Sequence, residues 1–67
     1  MKPPPPLDEI DWDQAARHLI AALPGASLAD VVARAEAAAT RLAAWGKARD
    51  AECMRRAAAH IRKRLMH

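Results

Sequence analysis

The sequence predicts an all-α fold: a small three-helix domain, formed by a helical hairpin plus a short N-terminal helix and assembled as a homodimeric helical bundle. Two observations carry this expectation. Apolar residues recur at helical spacing in three successive stretches, and each stretch is bounded by capping or breaking residues, with both glycines and all five prolines outside the stretches. Alanine, the strongest helix former, supplies 18 of the 67 residues. The chain length allows one small domain, read as residues 8–67 behind an N-terminal arm at 1–7.

The arm follows from Pro3 to Pro6, which cannot enter a helix interior and favour polyproline II. Leu7 and Ile10 add an irregular first turn. A helix over about 12–23 then starts at Asp11, an N-cap with Gln14 three residues on and Ile10 available as a staple against Ala15. Ala15, Ala16, Leu19, Ile20 and Leu23 form its apolar stripe, and Pro24-Gly25 stops it.

The second helix, about 28–45, begins after Ser27, which caps with Asp30 three residues on, an acid placed where the helix dipole favours it. Its seam runs through Leu28, Val31, Val32, Ala35, Ala38, Ala39, Leu42 and Trp45. The other face carries Ala29, Ala33, Ala37 and Ala44 beside Asp30, Arg34 and Arg41, which reflects either helix propensity or a second helix packed there. Gly46 stands in a C-terminal position and predicts a break; one helix continuing through Gly46 to residue 66 is the competing reading. The third helix, about 48–65, places Ala48, Ala51, Met54, Ala58, Ile61 and Leu65 inward. The small residues Gly46, Ala51 and Ala58 within 35–58 resemble the tetratricopeptide helix pair, in which such residues let two helices cross closely. The stretch lacks that repeat's large aromatic positions and closing proline, and occurs once.

The core is thin. Apart from Met1 the large apolar side chains number fifteen, and a chain this short without disulfide or metal usually needs idealised packing or a second copy. This is the basis for expecting a homodimer. Cys53 is the single cysteine, and no paired Cys/His spacing of a zinc module occurs, which fits a reducing cytoplasm without cofactor or metal. Acids at Asp8, Glu9, Asp11 and Asp13 stand where a signal peptide has its apolar region, and Asp30, Arg34, Glu36 and Arg41 interrupt the richest apolar stretch, so neither export nor a membrane span is expected.

Charge divides unevenly. Residues 1–36 carry three basic and six acidic groups (net −3), and residues 37–67 carry eight basic and two acidic (net +6). The asymmetry implies either an acidic or anionic partner for the C-terminal half or pairing of opposite halves in a dimer. Arg49, Arg56 and Lys63 recur every seven residues on the third helix, with Arg55 and Arg62 flanking and His60 and His67 beside them, a stripe suited to an acidic protein surface or to phosphates. Trp12, off the first helix's stripe among acids, is a candidate partner anchor or folds back on the arm, whereas Trp45 is expected in the core.

Catalytic equipment is scarce: one serine, already explained as a cap, one threonine, no tyrosine, no asparagine. Cys53 and His60 share a side of the third helix two turns, about 10 Å, apart, too far for a direct hydrogen bond. The expectation is therefore a non-enzymatic protein-binding regulator or inhibitor with no small-molecule substrate. The Ala-, Arg- and Pro-rich composition resembles translations of GC-rich bacterial or bacteriophage genes, where short helical proteins often block a host protein or serve as accessory chaperones. The alternative is a non-specific nucleic-acid-binding protein using the basic helix.

Overall fold

A computed structural model describes residue 3 and residues 5–65. The expectations for positions 1, 2 and 4 of the arm and for His67 lie outside the described residues. Three helices follow one short turn: a 3-10 turn at Leu7–Glu9, then α1 (Trp12–Ala22), α2 (Leu28–Ala44) and α3 (Ala48–Leu65), with no strand among the described residues.

Local chemistry sets each boundary. The backbone of Pro6 is in the polyproline II region (φ −57, ψ 150), so the extended arm gives way to the turn one residue earlier than its predicted end at 7. Asp11 accepts a hydrogen bond from the Gln14 amide at 3.1 Å, and Ser27 accepts one from the Asp30 amide at 3.1 Å, so both predicted N-caps are formed. Gly46 ends α2 in a Schellman arrangement. The Lys47 amide donates to the Leu42 carbonyl at 2.8 Å and the Gly46 amide to the Ala43 carbonyl at 3.1 Å. This needs a left-handed residue, and Gly46 has φ +80. The chain thus breaks at Gly46 rather than continuing as one helix, and α3 begins almost immediately afterwards.

The short connection folds α3 back along α2, and this hairpin is the main packing of the molecule. Among the described residues six of the nine buried apolar ones are alanines: Ala16, Ala35, Ala39, Ala51, Ala57 and Ala58, beside Val31, Val32 and Ile61. Side chains this small let the helix axes approach closely, so tight packing is achieved with little buried apolar volume. Ile61 and Val31 are the largest fully buried side chains. Helix α1 lies mainly against α3 and touches α2 less, its Ala16 sealing a cluster with Val31, Val32, Ala35, Ala58 and Ile61. Leu19, Ile20, Leu23 and Leu28 complete the cluster's edge.

Because α1 runs into α2 through the short Pro24-Gly25 turn, it covers the hairpin near the start of α2 and leaves the Gly46 end open. Three inward assignments are corrected: Ala48, the first residue of α3, is exposed, and so are Trp45 and Leu65. Trp45, expected in the core, is 69% exposed: it is the C-cap of α2, directly before the Gly46 turn. Leu65, placed on the inner stripe, is 46% exposed at the final position of α3. Leu42 and Met54 are half-buried rather than central. Conversely, Ala57, off the predicted stripe, is buried because α1 packs on a second face of α3. No helix among the described residues is long and apolar enough to cross a membrane.

Candidate functional site

The partial cover by α1 creates a groove. Two adjoining depressions of about 360 and 350 Å³ share Leu19 of α1 and Met54 of α3. The first runs between α1 and α3, bounded by Ile10, Trp12 and His18 on one side and Cys53 on the other. The second continues toward α2, with Leu23 and Ala38 on its floor and Arg34 and Arg41 on its rim. Leu19 and Met54 are half-buried, so the floor is apolar and reachable from solvent. Among the described residues no acid lines either depression. Arg34 and Arg41 are exposed, and neither makes an ion pair with an acid among the described residues.

The basic stripe has a different environment. Arg49 donates to the Pro5 carbonyl, drawing the arm along α3. Arg56 approaches Asp8 at 3.5 Å and Glu52 at 3.4 Å, and its guanidinium stands 6.0 Å from the centre of the Trp12 ring. Arg62 pairs with Glu36 of α2, Arg55 lies 4.0 Å from Glu52, and Arg64 pairs with Asp13 of α1. Lys63 shares a shallow depression with Trp12, Arg56 and His60 and makes no ion pair among the described residues. The opposite charges of the two halves thus meet within one chain. Trp12 is half-buried at the α1–α3 junction under Arg56.

Cys53 and His60 face different neighbours: Cys53 lines the groove, and His60 Nε2 lies 3.5 Å from Asp13 Oδ1. Among the described residues no group of three His, Cys, Asp or Glu side chains is placed to hold a metal ion. Sequence reasoning did not assemble the groove. Arg34 and Arg41, seven residues apart with Ala38 between them, were assigned to the outer face of α2, and Leu19 was read as core. The amphipathic pattern of α1 is real, but only its docking angle reveals that Leu19 sits at an edge.

Comparisons with protein-family models, with curated proteins and with solved structures find no match to this chain. The likeness to the tetratricopeptide helix pair rests on its three small residues alone.

Proposed function

We propose that this protein is a small non-enzymatic regulator or inhibitor of the bacterial or bacteriophage type, acting in the cytoplasm by binding a partner protein through the open side of its helical hairpin. The observation that carries the reading is the apolar groove around Leu19 and Met54, solvent-reachable in a molecule with very little apolar surface to spare. A fold whose largest fully buried side chains among the described residues are Ile61 and Val31 gains most by enclosing its remaining apolar ones, so a floor of leucine and methionine left open points to an intermolecular use. The exposed Trp45 at the same end of the hairpin supports it, since tryptophan is the residue type most enriched at interface hot spots. The stripe of α3 is the weaker candidate surface, because its arginines already face Pro5, Asp8, Glu36 and Glu52.

The test is capture from a bacterial lysate on the immobilised protein and on its Met54→Glu variant, with circular dichroism verifying that the variant is still helical. A discrete protein retained by the parent and lost from the variant supports the reading. Retention on heparin or duplex DNA with a steep salt dependence, and no captured protein, would transfer the function to the nucleic-acid alternative.

A further inference from the structure

Resting on the protein-binding reading above, we propose that the groove receives an acidic amphipathic helix of the partner. Its apolar side chains seat over Leu19, Ala38 and Met54, and its flanking carboxylates pair with Arg34 and Arg41. The geometry on α2 sets the length. Arg34, Ala38 and Arg41 line the groove, and spacings of four, three and four continue this row to the exposed Trp45. The eleven steps from Arg34 to Trp45, the C-cap of α2, rise about 16 Å, which matches about three turns of a docked helix with anchors at successive turns.

The charge pattern selects the occupant. Among the described residues the lining of the groove contains two arginines, one histidine and no acid. Asp30, one turn before Arg34, lies beyond the floor and makes no ion pair with it. A second copy laid groove to groove would bring four guanidinium groups together with no carboxylate from either lining, an arrangement that like-charge repulsion opposes. A bilayer is flat, whereas this surface is a trough between three helices. An acidic helix satisfies both parts at once: the apolar stripe fills the trough, and carboxylates two turns apart meet the guanidinium forks of Arg34 and Arg41 at the rim.

The experiment uses two synthetic helical peptides of about four turns with identical Leu/Ile anchors, one flanked by Glu and the other by Lys, titrated into the full chain by calorimetry and by nuclear magnetic resonance. The Glu peptide is expected to bind in the micromolar range, shifting the Trp45 indole N–H and the amides of Leu19, Ala38 and Arg41. The Lys peptide should bind at least about tenfold more weakly, and Arg34→Glu with Arg41→Glu should reverse the order. Both replaced side chains are exposed, and circular dichroism verifies that the double variant folds. Equal affinity for the two peptides, binding of neither, or shifts confined to the outer face of α3 overturns the proposal. So does concentration-dependent movement of the groove signals without peptide, which would give the groove to a second copy. A lysate protein held equally by the parent and the Arg34→Glu/Arg41→Glu variant, yet lost from Met54→Glu, overturns the acidic helix and leaves the protein-binding reading standing. Absence of any captured protein removes that reading itself.

Discussion

Ile61 and Leu65 occupy one apolar stripe of α3 a single turn apart, and replacing each in turn by alanine separates the packed core from its edge. Ile61 has no exposed surface and sits among Ala16, Val31, Val32, Ala35 and Ala58. Truncation to alanine removes three carbons, a transfer loss of about 2.4 kcal/mol at ~0.8 kcal/mol per methylene. A cavity cost adds to this. The alanines around Ile61 have no rotamers with which to fill the space, so the loss should fall at about 3–4 kcal/mol, in the upper part of the usual range for such truncations. A chain of 67 residues has a total stability of only about 3–10 kcal/mol, and each kcal/mol moves Tm by about 4–8 °C in this size class. The Ile61→Ala variant should therefore melt roughly 12–30 °C below the parent, or be unfolded at room temperature. Leu65→Ala removes as many carbons from a side chain already 46% exposed and leaves no closed cavity, so about 1 kcal/mol or less is expected. Thermal and urea melts followed by helical circular dichroism, at one fixed protein concentration, give both numbers. Equal losses in the two variants, or a loss below about 1 kcal/mol for Ile61→Ala, would refute the placement of α1 across this part of the hairpin.

Four other outcomes are expected. Leu42→Asp, which periodicity alone would mark as unfolding, should cost only about 1–3 kcal/mol, because Leu42 is half-buried and an aspartate there can turn to water; complete loss of helicity would show that this end of the hairpin is closed. Gly46→Ala should cost about 1–2 kcal/mol from backbone strain alone, since the added β-carbon would meet no atom within 4 Å at φ +80; an unchanged Tm would indicate that the Schellman turn is dispensable. Replacing Arg49, Arg56 and Lys63 together by alanine should move Tm by only about 5 °C, because exposed ion pairs contribute about 0.2–1 kcal/mol each and alanine favours the helix. The same variant should lose hydrogen-exchange protection at the Glu9 and Ile10 amides, bonded to Pro6 and Leu7, and cooperative collapse instead would make the stripe a structural element. Sedimentation equilibrium at micromolar concentration should show a two-chain species, with the exposed Ala29, Ala33 and Ala44 of α2 as the contact; a folded 7.3 kDa monomer would return those alanines to helix propensity.

Element identity and boundaries were legible in the sequence because the signals are local. Asp11 and Ser27 satisfy amides three residues away, Pro24-Gly25 and Gly46 break the chain where they stand, and periodicity marks Val31, Val32, Ala35, Ala58 and Ile61 as one interior. Periodicity reports which side of a helix is apolar, but not how far along that side a neighbour extends. The docking of α1 is decided by tertiary packing: its short connection to α2 sets where it crosses the hairpin, burying Ala57 while Leu42 and Met54 stay half-buried and Trp45 exposed. Charge behaves in the same way. The excess of acids before residue 37 and of bases after it is visible by counting, yet whether Asp8, Asp13 and Glu36 meet Arg56, Arg64 and Arg62 within one chain or across two depends on distances that only the folded chain brings within a few ångströms. The groove between Leu19 and Met54 belongs to this second kind of information, since residues 35 positions apart in the sequence share a surface only through the packing of α1 on α3.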